Sequence, residues 1–343
     1  VVPDELGEPD ANYDVTLMLL SPTDDVYEVG SIPGPYPTNY RIQDVSSDGQ
    51  VALMWSWDDD QNFFWLLDLQ TMTLDPYPAP DSAWSARFGR DDSSLLVEQR
   101  FTTQQPSGWW RTDRIMLSRI ALDGSEPQRV VDLMISPERQ EVASYFTWVE
   151  LYSGEVATTD DGIVNLRASD GRLLRQLDTP SPECTLVRQW SDSDHLARCP
   201  DPEQVSGCWT NGLFLIPATG EASAQFAVPS STDVCFAGYV EAVSLAGELA
   251  LQRVQGEGEC THVIEITDGT SSSTWQPGNE PLCDSNLIGV RNAAWLALGS
   301  RYEGPGVLYE ITADGRSRPI TPTTLPSSWN FTGVTDVHII GVA

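Results

Sequence analysis

Leu122-Asp123-Gly124, Ser169-Asp170-Gly171, Ala218-Thr219-Gly220, Thr267-Asp268-Gly269 and Ala313-Asp314-Gly315 are one turn returning five times along the chain. Its glycines lie 47, 49, 49 and 46 residues apart, a period that belongs to the blades of a propeller. Each turn follows an apolar segment and precedes a short strand-like one. Val263-Ile264-Glu265-Ile266 before Asp268-Gly269 shows the pattern well: period-two alternation running into Asp-Gly is a hairpin signal.

Working outward, a second hairpin lies upstream of each turn. In the first full unit the segment 41–45 leads through Ser47-Asp48-Gly49 into 51–57, then 63–69, then a short stretch before Pro78. The same four-strand order recurs at 84–88, 95–100, 114–120 and 129–133, and in units near 145–180, 184–229, 234–277 and 285–322. The remainder is two strands at each end, 15–20 and 26–29 at the start and 329–334 and 337–342 at the finish. The reading that follows is an all-β, seven-bladed propeller of four-stranded blades, chosen over six or eight because 343 residues divided by seven gives 49. One domain spans 1–343, with an extension at 1–12 and a closing blade shared between 13–33 and 327–343. A shared blade ties both chain ends into one sheet and removes an edge that could fray.

Composition agrees with this class. The 26 glycines and 24 prolines are spread throughout, no long 3.6-residue pattern interrupts them, and the apolar runs are strand-sized, far short of the roughly 20 residues of a membrane helix. All 19 basic residues are arginine against 50 acidic residues, for a net charge of −31. Such a surface repels phosphate backbones and anionic lipid, which argues against nucleic acid and for solubility or a basic partner.

The stretch Val45-Ser46-Ser47-Asp48-Gly49-Gln50-Val51-Ala52-Leu53, followed by Trp65-Leu66-Leu67-Asp68-Leu69, resembles the TolB-like and WD-repeat-like propellers of bacteria. Degraded versions stand at Phe88-Gly89-Arg90-Asp91-Asp92 and Trp190-Ser191-Asp192-Ser193-Asp194. The resemblance covers nearly the whole chain, and its motifs are structural. It implies the fold and a leaning toward binding roles, with no catalytic residue to carry over.

Six cysteines fall between Cys184 and Cys283, none in a Cys-x-x-Cys pair, and three histidines leave no zinc spacing. Disulfides are the better reading, and they imply an oxidising compartment: extracellular, periplasmic or cell-surface. The start Val1-Val2-Pro3-Asp4-Glu5 reads as a mature or trimmed N-terminus. Cys208 precedes its third strand as Cys260 precedes the next one, and Cys235 and Cys283 each stand at the entry to the following blade. The register therefore pairs Cys208 with Cys235 and Cys260 with Cys283, leaving Cys184 for Cys199.

Candidate chemistry is thin. No Gly-x-Ser-x-Gly elbow occurs, and His195, His262 and His338 fall in different blades, where structural or surface roles are expected. Asp58-Asp59-Asp60 is the densest acidic run; it reads first as a solvated turn, and Ca2+ is the cation it would take, although calcium-loop spacing is missing. Asn330-Phe331-Thr332 is a glycosylation triplet in an expected inner strand. Trp109-Trp110 with Arg111, in a polar loop between second and third strands, is the better functional hint, since exposed aromatic pairs stack sugars and build protein hot spots. Trp55, Trp57, Trp65, Trp84 and Trp190 are expected to pack between blades.

Together these observations lead to an expected secreted or surface-attached, non-enzymatic module without a cofactor, binding a protein partner through its long-loop face. A carbohydrate-binding propeller is one alternative. A lactonase- or lyase-like enzyme using Asp44, Arg87 and Arg188 is the other.

Overall fold

The computed structural model describes residues 15–20, 24, 26–32, 41–58, 61–71, 73–78, 80–140, 146–151, 153–160, 162–189, 194–200, 209–219, 224–227, 236–245, 248–255, 262–267, 272–275, 284–291, 294–300 and 307–320. It divides into two compact units. The first comprises Val1–Pro37, Pro200–Leu213 and Phe226–Ile339, the second Thr38–Cys199, Phe214–Gln225 and Ile340–Ala343.

In the first unit, β1 (Val15–Leu20) and β2 (Val26–Ile32) form a two-stranded antiparallel ladder. In the second unit, β3 (Arg41–Val45), β4 (Val51–Asp58), β5 (Gln61–Asp68) and β6 (Thr73–Tyr77) make an antiparallel sheet in chain order. A second sheet follows from β7 (Ala83–Phe88), β8 (Ser94–Gln104), β9 (Trp110–Ala121) and β10 (Gln128–Met134). A third follows from β11 (Trp148–Glu150), β12 (Val156–Asp160), β13 (Ile163–Arg167) and β14 (Leu173–Asp178). Then come β15 (Thr185–Gln189), β16 (Asp194–Pro200), β17 (Trp209–Pro217) and β18 (Ala224–Ala227), of which residues 200, 209–213 and 226–227 are counted in the first unit.

In the first unit, β19 (Phe236–Leu245), β20 (Glu248–Gln255), β21 (His262–Thr267) and β22 (Ser272–Trp275) precede a last sheet. That sheet consists of β23 (Asp284–Arg291), β24 (Ala294–Ser300), β25 (Val307–Ile311) and β26 (Ser317–Pro319).

This is the β-propeller expected from the repeat, but not one of seven blades. Among the described residues there are five sheets of four or more strands beside the β1–β2 ladder. Four of the five have four strands. The fifth has eight, because Trp209 and Thr210 of β17 pair in parallel with Phe236 and Ala237 of β19, so that two repeat units share one sheet. Counting turns therefore overestimated the blades: the repeat counts chain segments, and backbone pairing decides how many sheets they build. Residues 327–343 of the expected shared blade lie outside the described residues.

The strand sequences account for their depth. Middle strands are covered on both faces and read as continuous apolar runs, as Leu95, Leu96 and Val97 of β8 do, all fully buried. Two of the fourth strands are rims: every residue of β14 except Leu177 is exposed, and β26 is exposed throughout. Between sheets the apolar faces mesh. Leu53 and Phe64 meet Ala86, Leu95 and Val97 between the first sheet and the second; Leu96, Ile115 and Leu117 meet Val130, Phe146 and Trp148 between the second and the third. In the first unit, Ile264, Trp275, Trp295 and Ile311 form a separate core, with the Trp275 and Tyr309 rings edge-to-face at 5.2 Å.

The recurring turns have one chemistry. Gly124, Gly171 and Gly315 adopt φ of +81°, +83° and +76°, and each donates its N–H to the carbonyl three residues back. The preceding aspartate closes the turn by accepting the N–H two residues on, at Ser125, Arg172 and Arg316. Gly171 has a second reason to be glycine. A Cβ there would stand 2.8 Å from the carbonyl oxygens of Arg129 and Val130, whereas Gly124 and Gly315 face open space. The turns at Gly220 and Gly269 lie outside the described residues.

A second repeated device was not read from the sequence. The opening strand of five repeats slips by one residue against its partner, between Ile42 and Asp44, Ala83 and Ser85, Leu186 and Arg188, Tyr239 and Glu241, and Leu287 and Gly289. Each slip is a β-bulge that leaves one residue unopposed and sharpens the strand's twist.

Candidate functional site

The longest hairpin builds the most distinctive surface. β7 pairs with β8 only as far as Ala83↔Gln99, and β10 with β9 only as far as Arg114↔Met134, whereas β8 and β9 continue together to Gln104↔Trp110. The outer part of β8 and β9 therefore projects past its sheet as a two-stranded ribbon. Its tip is a five-residue turn in which Gln105 donates its N–H to the Trp109 carbonyl (2.8 Å) and Gly108 takes φ +86°.

The ribbon is held at its root by side chains. A bulge opposite Phe101 and Thr102 sets Asp113 apart, and its carboxylate accepts from the Thr103 hydroxyl and from Arg111 Nε at 2.7 Å. The Thr103 hydroxyl first, and then Arg111, hold the Asp113 carboxyl below its ordinary range. On the other edge the Gln140 amide both accepts from Thr112 N–H (3.1 Å) and donates to Thr112 C=O (3.0 Å), copying a strand's hydrogen bonds. Trp109, in the turn, and Trp110, at the start of β9, stand out at 78% and 60% exposure, and Arg111 is paired with Asp113.

Beneath the ribbon lies a group that the sequence did not reveal. Glu98 is 4% exposed yet accepts hydrogen bonds from Arg100 Nε (2.6 Å), Trp148 Nε1 (2.9 Å) and the Ser85 hydroxyl (3.3 Å). A buried carboxylate survives only with such partners. The Arg100 guanidinium stacks over Trp84 at 5.0 Å and that of Arg87 over Trp148 at 5.7 Å. Trp84, expected to pack between blades, is instead 56% exposed, because it is the unopposed residue of its strand's bulge. Trp55 and Trp65 are partly covered, while the side chain of Trp57 and all of Trp190 lie outside the described residues.

Other expected site residues are placed as follows. The Asp44 carboxylate receives the N–H groups of Val45 (2.9 Å) and Phe88 (2.8 Å), tying the first sheet to the second. The Arg87 guanidinium lies over Trp148, and the backbone of Arg188, the third residue of that expected channel-mouth set, lies opposite Leu196, its side chain outside the described residues. Asp58 ends β4 opposite Gln61, while Asp59 and Asp60 lie outside the described residues. Among the described residues no three metal-ligating side chains cluster.

Cys184 and Cys199 are disulfide-bonded, with Cα atoms 4.2 Å apart, in a core with Leu186, Ala197 and Phe214. Cys208, Cys235, Cys260 and Cys283 lie outside the described residues, as do His338 and Asn330-Phe331-Thr332. His262 opens β21, and His195 is 3% exposed in β16.

No protein-family model matches this sequence, and no curated protein matches it. Solved structures do. The chain is similar to the β-propeller domain of the trilobed protease from Pyrococcus furiosus, at 12% identity and a TM-score of 0.58, over 94% of this chain and 99% of that one. It is similar to the acylaminoacyl peptidase of Pyrococcus horikoshii at 12% identity and a TM-score of 0.59, over 90% of this chain and 50% of that one. A puromycin-hydrolysing peptidase of Mycobacterium tuberculosis aligns at 13% identity and a TM-score of 0.57, over 91% and 51%. The chain thus spans about half the length of these last two peptidases.

At such identities the likeness establishes the fold, a β-propeller. The solved structures named here are peptidases or a protease's propeller domain, a finding that goes against the expected non-enzymatic assembly module.

Proposed function

We propose that this chain is the propeller of a peptidase-type hydrolase, and that it receives peptide substrate while the catalytic groups come from polypeptide beyond these residues. The observation that carries the reading is the alignment of more than nine-tenths of the chain with the trilobed protease propeller, and of nine-tenths or more with the two longer peptidases. The sequence is compatible with that division of labour: without a Gly-x-Ser-x-Gly elbow it offers no nucleophile of its own in the familiar setting.

Within this reading the ribbon is the peptide contact. Trp109 and Trp110 give large rigid apolar faces at low entropy cost, and the outer stretch of β8 presents strand backbone to which an extended peptide can add. The TolB-like resemblance and an oxidising compartment both fit, the latter through the Cys184–Cys199 bridge.

The test is made on the protein purified from its native source. A fluorophosphonate probe should label a serine in the polypeptide or complex that contains this propeller, and that material should cleave aminoacyl or peptidyl chromogenic substrates. Replacing Trp109 and Trp110 by alanine should raise KM about tenfold, as expected for losing one or two aromatic contacts, and leave the melting temperature unchanged. Material that neither takes the label nor cleaves a broad peptide panel would overturn the reading.

A further inference from the structure

A small cleft opens in the second unit, where the turn between β11 and β12 meets β14, β16 and the end of β17. It is lined by Leu151, Ser153, Glu155, Leu166, Leu174, Arg175, His195 and Ala218 and holds about 190 Å3. Size narrows its occupant at once. An apolar cavity of roughly 150 Å3 admits a benzene, while drug-sized ligands need roughly 300 Å3 or more. The cleft therefore fits a single amino-acid-sized molecule.

Its chemistry has four elements. Leu151 and Leu166 are 4% and 7% exposed and, with Leu174 at the lip, form an aliphatic wall. The Glu155 carboxylate lines the cleft and is joined to no cation in an ion pair among the described residues. Arg175 also lines the cleft, where its Nη1 donates to the Ala218 carbonyl, so the cleft carries a positive charge as well as that carboxylate.

His195 supplies the fourth element. Its ring is almost wholly buried, and no hydrogen bond joins it to another described side chain. Burial pushes the imidazole below its ordinary pKa, while Asp194 and Glu155 pull the other way. At neutral pH it is an uncharged ring that brings one N–H donor and one acceptor to the cleft wall.

We infer that this cleft binds an aliphatic α-amino acid, free or at the end of a short peptide. The ammonium pairs with Glu155, the branched side chain lies against Leu151, Leu166 and Leu174, and the carboxylate or carbonyl oxygen meets Arg175 and the His195 N–H. The inference goes beyond the peptidase reading and does not depend on it, since binding here requires no hydrolysis.

The chain has only three histidines, so its imidazole 15N resonances can be followed individually in the intact protein, with His195→Gln used to assign the His195 signals. Titration with L-leucine, Leu-Gly and N-acetyl-leucinamide separates the possibilities. Movement of the His195 signals with L-leucine alone assigns the free amino acid, and movement with Leu-Gly as well extends the site to peptide ends. Glu155→Gln, at the partly exposed rim, should weaken either ligand about tenfold, the loss of one charge-assisted hydrogen bond.

No movement with leucine or Leu-Gly at millimolar concentration overturns the inference. So does equal movement with N-acetyl-leucinamide, which carries neither charge, or unchanged affinity in a folded Glu155→Gln protein. Failure of the peptidase test leaves these outcomes untouched, so the two ideas can fall separately.

Discussion

Gly124 and Gly171 occupy the same place in the same turn, have nearly the same φ, and differ in what surrounds them. A methyl group at Gly124 meets only the intrinsic cost of a left-handed backbone, about 1 kcal/mol. At Gly171 it also drives into two carbonyl oxygens of β10, adding about 1–3 kcal/mol of overpacking. Gly171→Ala should therefore destabilise the protein clearly more than Gly124→Ala, as read by denaturant titration. Equal effects would mean that the turn alone decides. His195 gives a second residue-scale expectation. Its folded pKa lies below the unfolded value near 6.5, so the unfolded chain binds the extra proton first as pH drops. The stability it contributes is full above pH 6.5 and declines as the pH falls from there toward the folded pKa. Asp194, Glu155 and Arg175 face the ring or its cleft, and His195→Gln should flatten the melting temperature between pH 7 and 5 relative to the wild type. The sequence made the turn glycines legible because φ and Asp-Gly chemistry are local. It could not separate Gly124 from Gly171, nor bury His195, because those differences come from a neighbouring sheet.

At the scale of elements, the hairpin of β15 and β16 is stapled by Cys184–Cys199, which closes a loop of 15 residues. By loop-closure entropy such a bridge contributes about 3 kcal/mol. Replacing both cysteines with alanine should speed amide hydrogen exchange in β15 and β16 by about a hundredfold while leaving β8 and β9 protected. Uniform loss of protection would show that the bridge stabilises the whole unit instead. This pairing was accessible from sequence because the register of the other four cysteines left Cys184 and Cys199 for each other, across the first two strands of one repeat. The bulges were not. Trp84 sits in a strand whose alternation points it inward, and only the slip between Ala83 and Ser85 turns it out beside Arg100. Glu98 was equally hidden: a carboxylate within a central strand reads as a break in the apolar pattern until Trp148, fifty residues on, supplies its partner.

Across the whole molecule, the charge is unevenly distributed. The net −31 spares the second sheet, where seven arginines and seven carboxylates between Ala83 and Met134 cancel. Elsewhere like charges repel at distances that salt screens within about 10 Å at 0.1 M. Moderate NaCl should therefore raise the melting temperature from its low-salt value, with arginine-rich β7–β10 contributing little; a melting temperature that falls with salt would show that ion pairs outweigh the repulsion. The repeat period identified a propeller but not its sheet count, because joining β17 to β19 depends on two backbone pairs that leave no mark on the sequence.

The Gln140 amide has a meaning beyond anchoring the ribbon. By occupying both backbone groups of Thr112 it fills the slot that a strand from another chain would need, so that edge of the ribbon is closed to templated aggregation. A protein that holds two exposed tryptophans on an extended hairpin runs the risk of fibril growth, and one side-chain amide acts here as a gatekeeper against it.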